Sequence, residues 1–237
     1  MDPTTANYLK HDFLRHVDML ELLEMPSASV LYGGDDGVLA CSDTMFSLSF
    51  VSGAENAFLQ RLLAHLPERG GCYVVLHGPE LKAPLMREHG FGSFMDCYQC
   101  LYEQAGPISY SLPDGADIRP LDMRHIDFVH AHYRTVDDAG YVRERIEAGM
   151  FGAFFGETQA GFIGTHDERS IGMLEVLPEF RKRGLAFALE AHMINHLLHA
   201  GRRAFCQVSV DNAPSLALQK KLGMTISESV IIWMERP

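Results

Sequence analysis

Short apolar runs alternate with amphipathic segments along the second half of the chain. Apolar runs at 151–155, 160–165 and 170–177 predict three strands, the first two joined by a turn at 157–160. The amphipathic segment that follows predicts a helix at 184–200, which ends at Gly201. The remaining patterns predict strands at 116–119, 204–210 and 228–235, and helices at 123–133, 141–148 and 213–222.

The first half repeats part of this order. Its patterns predict a hairpin at 29–41, a strand at 44–51 and a helix at 54–65. The next segment, CYVVLHGPELKAPLMREHGF at 72–91, matches CQVSVDNAPSLALQKKLGM at 206–224 with one residue inserted. Each has the pattern of a strand, a turn with proline, a helix and a glycine. The match predicts an internal duplication; the alternative is two unrelated strand–helix–strand pieces.

The two halves predict two domains, at 1–110 and 111–237. The segment between them, AGPISYSLPDG at 105–115, is rich in Gly, Pro and Ser, which is typical of a connection.

The charge of the chain excludes some classes of partner. Its 31 acidic and 20 basic residues give a formal net charge of −11, which disfavours nucleic acid and anionic membranes as partners. There is no long apolar run that predicts a membrane span, and MDPTTANYLKHDF lacks the features of a signal peptide. Five cysteines form no dense framework, so we expect a reduced, cytoplasmic protein.

Three consecutive cations, Arg181, Lys182 and Arg183, stand against this acidic background between a predicted strand and a predicted helix. A helix N-terminus presents unpaired N–H groups to an anion, and Gly184 lets an oxygen approach the backbone closely. Forked arginine donors suit a diphosphate. Neither a P-loop nor a dinucleotide fingerprint is present. The alternative is a solvated basic turn.

Two motifs resemble those of the GNAT N-acetyltransferase superfamily. The pattern V-x-P-x-x-R-x-x-G-x-A resembles its acyl-CoA-binding motif, and it is formed here by Val176, Pro178, Arg181, Gly184 and Ala186. Further along, NAPSLALQKKLGM at 212–224 is similar to its second motif, N-x-x-[AS]-x-x-L-Y-x-K-x-G-F. The resemblance covers 117–237. The first half is similar only as a degenerate copy, as in the glycine N-acyltransferase-like branch.

The resemblance implies an α/β (α+β) fold of tandem GNAT-like halves, each a mixed, mostly antiparallel sheet flanked by helices, with the second half catalytic. It implies direct transfer of an acetyl or short acyl group from acyl-CoA to a small primary amine in a ternary complex, with no metal. The cofactor contacts that it implies are Leu174, Val176, Arg181, Lys182, Arg183, Gly184, Leu185, Ala186, Asn212 and Ser215. The first half lacks arginine at its equivalent junction, SFVSGAENAF, so we expect it to serve as scaffold or acceptor wall.

Two carboxylates are candidates for the base that deprotonates the amine. Alternation along a regular strand would place Glu168 on one face with Ser170 and Gly172. Glu175 lies within an apolar run, where an unpaired carboxylate is costly, so it has a partner, a solvent cleft or a role. His166 is a third candidate; the alternative for each is a structural or solvated residue.

The sequence departs from the family at Gln219, where a tyrosine proposed to protonate the leaving thiolate is common. Glutamine is not an acid, so Tyr133 and Tyr141 are candidate substitutes. The histidines at 192, 196 and 199 share a helix face, for which a polar or packed face is favoured over metal binding because no carboxylate or cysteine completes a ligand set.

An N-acyltransferase is therefore the favoured interpretation, acting as a monomer or homodimer. Its alternative is a non-catalytic acyl-CoA-binding sensor, for which Gln219 is the support. A nucleotide-phosphate binder would need a magnesium or base site that the sequence does not show.

Overall fold

A computed structural model of the chain describes residues 1–68 and 71–237. Within these ranges the helices are α1 (Pro3–His11), α2 (Val17–Leu22), α3 (Glu55–Leu63), α4 (Lys82–Glu88), α5 (Ile126–His132), α6 (Ala139–Glu147), α7 (Leu185–His199) and α8 (Ala213–Leu222). The strands are β1 (Ser29–Gly34), β2 (Gly37–Cys41), β3 (Met45–Phe50), β4 (Cys72–Leu76), β5 (Gly92–Leu101), β6 (Ala116–Pro120), β7 (Phe151–Phe155), β8 (Thr158–Thr165), β9 (Ile171–Val176), β10 (Phe205–Ser209) and β11 (Thr225–Arg236). Short 3₁₀ helices lie at Met123–His125 and Pro178–Phe180.

The chain forms two compact units. The first consists of Met1–Leu101, Gln207–Leu216 and Thr225–Pro237, and the second of Tyr102–Cys206 and Ala217–Met224. The units differ from the predicted halves because β11, from the end of the chain, is bonded along both edges to strands of the first unit.

The first unit contains a mixed sheet in the order β1-β2-β3-β4-β11-β5. Neighbours are antiparallel except β3 and β4, which are parallel. Helices α3 and α4 contribute Phe58, Leu62 and Leu85 to one apolar cluster, which includes Ile232 of β11. Helices α1 and α2 pack into a second cluster with alternate residues of the same strands.

The second unit contains the strands β6 to β9 as an antiparallel meander, with β10 joining β9 in parallel. Helices α5 and α6 bury Val129, Val142 and Ile146 against this sheet, together with Phe162 and Met173. Helix α7 packs on strands β7, β8 and β9. The meander positions β9 and the loop after it, which carry the predicted cofactor contacts.

The predicted strands and helices of both halves are confirmed, although their ends differ from the predicted ones by up to three residues. The turn between β7 and β8 is at 156–157 rather than 157–160, with Gly156 at a φ of 60°. Strand β9 starts at Ile171, one residue later than predicted, and β11 starts at Thr225 rather than at 228.

The N-terminal helices were not predicted. Helix α1 has a start signal, since Asp2 accepts hydrogen bonds from the backbone of Thr4 and Thr5 and Pro3 occupies the first turn. Helix α2 has no side-chain cap and only 6 residues, all of them buried. Tertiary packing rather than local sequence therefore maintains α2.

The placement of β11 predicts that two substitutions on this strand change the free energy of unfolding by different amounts. Ile232 is 2% exposed in the core of the first unit, so Ile232→Ala should lower the free energy of unfolding by about 2–5 kcal/mol in urea denaturation. Glu228→Ala changes an exposed residue of the same strand and should alter that free energy by less than about 0.5 kcal/mol. Equal effects would contradict this placement of β11.

Candidate functional site

Strand β9 is irregular next to two predicted cofactor contacts, Leu174 and Val176. Its register with β8 shifts between Phe162 and Gly164, so Met173 and Leu174 together oppose a single residue of β8. Met173 has a φ of 50°, the left-handed conformation that accompanies such a bulge. Among the described residues, the parallel ladder with β10 consists of the pair Cys206–Ile171. Beyond Ile171 that edge of β9 therefore has no paired strand.

The parallel strands β3 and β4 of the first unit are paired without interruption. Strands β3 and β4 pair at four consecutive positions, from Met45–Tyr73 to Leu48–Leu76. The backbone N–H of His77 extends the ladder by donating to the carbonyl of Leu48, at 3.0 Å. The buried imidazole of His77 lies 2.9 Å from the carboxylate of Asp18. No strand edge comparable with that of β9 is available in this pair.

The loop between β9 and α7 exposes backbone N–H groups. Lys182 has a φ of 61° and Gly184 a φ of 85°, so two left-handed residues frame Arg183. Successive left- and right-handed residues turn N–H groups toward one concave side, which favours an anion. Gly184 is the N-cap of α7, whose first N–H groups have no intrahelical partner. No heavy atom lies within 4 Å of the position that a Cβ would take at Gly184, so that position is open.

Arg181 connects this loop to β9. Its Nε donates to the carbonyl of Val176 at 2.8 Å, and its Nη2 lies 2.9 Å from Oε1 of Glu175. Glu175 therefore has the partner that its position in an apolar run requires. Arg181 thus bonds to the end of β9 twice, once to a backbone carbonyl and once in an ion pair with a carboxylate.

A cavity of about 570 Å³ adjoins the loop. Its lining comprises Arg183, Gly184, Phe187, Lys221 and the segment Ser109 to Pro113. The volume is within the range of about 300–1,000 Å³ typical of small-molecule sites. Two cations and the open N-terminus of α7 thus meet at one cavity in the second unit.

A largely buried polar cluster surrounds the turn before β9. It consists of Tyr133 and Tyr141 from the helices and of His166, Glu168 and Ser170 from the turn. The hydroxyl of Ser170 donates to Oε1 of Glu168 at 2.5 Å, and Oη of Tyr141 lies 2.7 Å from Nδ1 of His166. The rings of Tyr133 and His166 are 6.4 Å apart. Candidates that sequence analysis named separately are therefore brought together.

Burial controls the protonation of this cluster. It raises the pKa of Glu168 to about 8, with a further contribution from the carboxylate of Asp167. It lowers the pKa of His166 to about 4 and raises that of Tyr141. At neutral pH these three side chains are mainly uncharged.

The predicted alternation of Glu168, Ser170 and Gly172 along one strand does not occur. Residues 166–170 form a tight turn, in which the backbone N–H of His166 donates to the carbonyl of Ser170 at 2.9 Å. Arg169 has a φ of 75°, which interrupts the extended backbone. Glu168 meets Ser170 through the turn instead.

Gln219 faces the interior. It is 2% exposed, and its side chain hydrogen-bonds to Glu190, whose pKa burial raises to about 7. Oε1 of Gln219 and Oε2 of Glu190 have no partner within the described residues. The glutamine is thus held by a buried carboxyl group.

Asn212 and Ser215 lie at the start of α8, in the first unit. The backbone N–H of Ser215 donates to Oδ1 of Asn212 at 3.1 Å, so Asn212 caps the helix. Their role as cofactor contacts remains a prediction. Leu185 and Ala186 are the first residues of α7, and Leu185 is buried.

The histidine face of α7 is packed in part: His192 is half-buried, whereas His196 and His199 are exposed. The ring of Phe151 contacts those of His192 and His196, at centroid distances of 4.5 and 5.0 Å. Over the described ranges, no group of three or more histidine, cysteine or acidic side chains is placed to bind a metal ion. In the same ranges, no helix combines the length and the apolar character needed to cross a membrane.

A family model described as FR47-like protein matches residues 149–233. Those residues include β9, the loop at 181–184, α7 and α8. Among curated proteins, no sequence matches the chain significantly.

Solved structures match nearly the whole chain. A Drosophila protein aligns with a TM-score of 0.78 at 15% identity, covering 99% of this chain and 94% of that one. A GCN5-related N-acetyltransferase from Kribbella flavida aligns with a TM-score of 0.64 at 13% identity, covering 94% and 95%. A tandem GNAT protein from the clavulanic acid biosynthesis pathway aligns with a TM-score of 0.51 at 15% identity, covering 98% and 94%. At such low identities these structural alignments show the fold alone. They confirm the predicted fold class, a GNAT-like arrangement of mostly antiparallel sheets flanked by helices.

Sequence analysis missed several residues of the site. Residues 109–113 line the cavity, but nothing in their sequence indicates this, because the segment has the composition of a connection. Phe187 directly follows the first motif and Lys221 lies within the second, but neither was assigned a role. Glu190 is the single carboxyl group of α7 and lies among buried apolar residues, a position that signals a buried interaction.

The raised pKa of Glu168 predicts how stability depends on pH. The folded protein keeps this proton up to about pH 8, whereas the unfolded chain releases it near pH 4.3, about the value of a free glutamate. The native state therefore binds the extra proton between these values, and stability is lost as the pH rises through them, by up to about 1.4 kcal/mol per pH unit. Glu168→Gln should remove this slope, most visibly between pH 7 and 8, where Glu190 has largely titrated.

The measurement is urea denaturation at a series of pH values. Glu175→Gln is the control, because its side chain is 32% exposed and ion-paired, and it should leave the slope between pH 7 and 8 unchanged. A Glu168→Gln protein that retains the wild-type slope would contradict the assignment.

Proposed function

We propose that this protein is an N-acyltransferase that moves an acetyl or another short acyl group from acyl-CoA to a primary amine of a small molecule. The observation that carries the proposal is the junction at 181–184: an open N-terminus of α7 framed by left-handed residues, beside a cavity with two cations. The tandem GNAT-like fold and the FR47-like match support the class of reaction.

The residues at the junction fit a diphosphate. The N–H groups from Lys182 to Phe187 supply donors and the positive end of the α7 dipole. A side chain at position 184 would occupy the open space above these donors, and glycine leaves it accessible. Arg183 adds a charge at the same rim.

The bulge in β9 supplies the second part of the site. Backbone groups from Leu174 to Val176 lie on the edge without a paired strand, where they can hydrogen-bond to the amides of a pantetheine arm. A backbone N–H near Val176 can polarise the thioester carbonyl, since fixed donors in a desolvated site stabilise developing oxyanion charge.

Proton transfer is assigned to the buried polar cluster. A primary amine arrives protonated at neutral pH and must lose a proton before it attacks. A pKa near 8 is close to the operating pH, so a minor fraction of Glu168 is ionised at neutral pH, and this carboxylate form is the base. Glu168 is 8% exposed, so the proton reaches it through the hydroxyl of Ser170 or through a water molecule. Burial raises the pKa of Tyr141, which makes its phenol a poorer acid than a thiol, so the leaving thiolate takes its proton from solvent.

The alternative function, a non-catalytic acyl-CoA sensor, has one observation in its favour. Gln219 stands where relatives commonly have tyrosine, and its buried contact with Glu190 shows a side chain engaged internally. Release of CoA with any amine of a library would exclude the sensor. We also propose that the protein is cytoplasmic, acts without a metal, and is a monomer or homodimer.

Gly184→Val tests the proposed diphosphate site. Acetyl-CoA should raise the melting temperature of the wild type, since a ligand selective for the folded state stabilises it. The substitution should abolish that shift because the Cβ and its methyl groups fill the space above the amides.

Gly201→Val is the matched control at the other end of α7. Gly201 has a φ of 69° and equally open surroundings, so valine there imposes a similar backbone strain without touching the loop. Its shift with acetyl-CoA should equal that of the wild type. A full shift in Gly184→Val would place the diphosphate elsewhere.

Glu168→Gln tests the base. The amide keeps the shape but loses basicity, so turnover at pH 7.5 should fall by about 10²–10⁴-fold, the range for general acid–base catalysis. The residual rate should increase with pH as free amine becomes available, and the thermal shift with acetyl-CoA should persist.

Glu175→Gln is compared in the same assay. A large loss there, with Glu168→Gln near normal, would transfer the role to Glu175. Normal turnover in both variants, under conditions where the chemical step limits the rate, would refute a carboxylate base.

A further inference from the structure

Glu190 of α7 and Gln219 of α8 form a buried polar contact in the second unit, which we call the buried pair. Their side chains are 3% and 2% exposed, and the other buried residues of α7 are apolar. The amide of Gln219 donates to the carboxylate of Glu190. One acceptor on each side chain is nevertheless without a partner among the described residues, Oε2 of Glu190 and Oε1 of Gln219. Two unpaired acceptors in one buried contact are costly.

A single proton on Glu190 satisfies both unpaired atoms. A protonated carboxyl group has a donor as well as an acceptor, so its O–H can donate to Oε1 of Gln219 while the amide N–H donates to the other carboxyl oxygen. The acid and the amide are then joined by two hydrogen bonds. The ionised form has a buried charge and one hydrogen bond, and both acceptors stay unpaired. The strength of the buried pair therefore depends on the protonation of Glu190.

This protonation changes near neutral pH. Burial raises the pKa of Glu190 to about 7, and the hydrogen bond from the amide offsets part of the rise. No charged side chain in the described part of the chain contributes to the shift. The nearest titratable groups along the two helices have other contacts, since His192 bonds to Tyr110 and Lys221 lies over the ring of Phe187.

The buried pair lies beside residues that line the cavity. Phe187 precedes Glu190 by about one turn of α7, and Lys221 follows Gln219 by two residues on α8; both Phe187 and Lys221 line the cavity. Nζ of Lys221 lies 4.9 Å from the ring centroid of Phe187. The two helices are thus joined at the cavity wall by a cation–π contact and next to it by the buried pair. A change in the buried pair alters how α8 is held against α7 at this wall.

We propose that Glu190 is a positioning residue of the acyltransferase: its protonated form bonds twice to Gln219 and fixes the wall that α8 contributes to the cavity, and its ionised form does not. The inference rests on the proposed function, which places acyl-CoA beside this cavity. The folded state holds the proton of Glu190 up to about pH 7, whereas an unfolded chain releases it near pH 4.3. The contribution of the buried pair to stability is therefore lost as the pH rises through 7. Binding of acyl-CoA weakens over the same range, because the wall must then be ordered on binding.

Titration calorimetry with CoA at pH 6 and pH 8 tests the proposal in the wild type and in Glu190→Gln. The second amide can pair with Gln219 at every pH, each amide donating to the oxygen of the other, so the variant keeps two hydrogen bonds and loses the titration. Between pH 6 and pH 8 the affinity of the wild type should fall about five- to tenfold more than that of the variant. Titration of CoA itself is common to both proteins and cancels. An equal pH dependence in the two proteins would overturn the proposal.

Gln219→Leu separates positioning from a merely structural role. Leucine fills a similar volume without a donor or an acceptor, so neither protonation state of Glu190 can hold α8 through this contact. The affinity for CoA at pH 6 should fall about five- to tenfold, to the level of the wild type at pH 8. An unchanged affinity at pH 6 would show that the buried pair stabilises the fold without positioning the wall, and would overturn the proposal.

Glu147→Gln is the control, because it removes an exposed carboxylate of α6 in the same unit and should leave both affinities unchanged. In turnover assays the effect of Glu190→Gln should appear in the KM for acetyl-CoA and not in kcat, whose pH profile Glu168 sets. The outcomes separate this inference from the proposed function. Identical pH dependence in the wild type and in Glu190→Gln would overturn the positioning role and leave the acyltransferase standing. Failure of the wild type to bind CoA at either pH would overturn both.

Discussion

The left-handed backbone at Lys182 and Gly184 is the constraint on which the site depends. The two residues frame Arg183 in the connection between β9 and α7, and Gly184 is both the N-cap of α7 and part of the cavity lining. Glycine adopts this conformation without a steric penalty, whereas lysine does so at a cost of about 1–2 kcal/mol. The contact of Arg181 with the carbonyl of Val176 and the carboxylate of Glu175 connects the strained loop to the strand and offsets part of that cost. An anion would stabilise the same conformation further.

The second constraint is the burial of the polar cluster before β9. A carboxyl group, an imidazole and phenols that are buried together avoid a large desolvation cost only while they are uncharged, which is why Glu168 retains its proton to about pH 8 and His166 remains neutral. The same property makes the cluster suitable for proton transfer, because a group that is close to changing its protonation state near neutral pH can accept a proton and release it. Burial of Glu168 is thus the origin of both properties. The folded state is least stable at a pH at which Glu168 is ionised.

The sequence predicts most of the elements and the loop, because these depend on local patterns: periodic apolar residues in α7, strand runs in β7 and β8, and the Arg181–Gly184 motif. It does not predict the position of β11, since an apolar run contains no information about which strands it joins. Nor does it predict the polar cluster, which depends on the left-handed turn at Arg169, a residue with no local preference for that conformation. Glu168 was named for an alternation along a strand that the turn abolishes, so its contact with Ser170 arises from a geometry that the sequence did not predict.

The comparison of the two units indicates why the second has the candidate site. Both contain a parallel strand pair preceded by a hairpin and followed by a helix, so the order of elements alone does not distinguish them. In the first unit, β3 and β4 are bonded at four positions, and His77 extends that ladder and contacts Asp18. In the second, β9 leaves its register with β8 at the bulge and pairs with β10 at Ile171. A closed ladder satisfies its backbone groups internally and has none to offer a ligand, whereas an interrupted one leaves polar groups that favour a partner. The irregularity of β9 is therefore the feature that distinguishes its parallel pairing with β10 from that of β3 with β4.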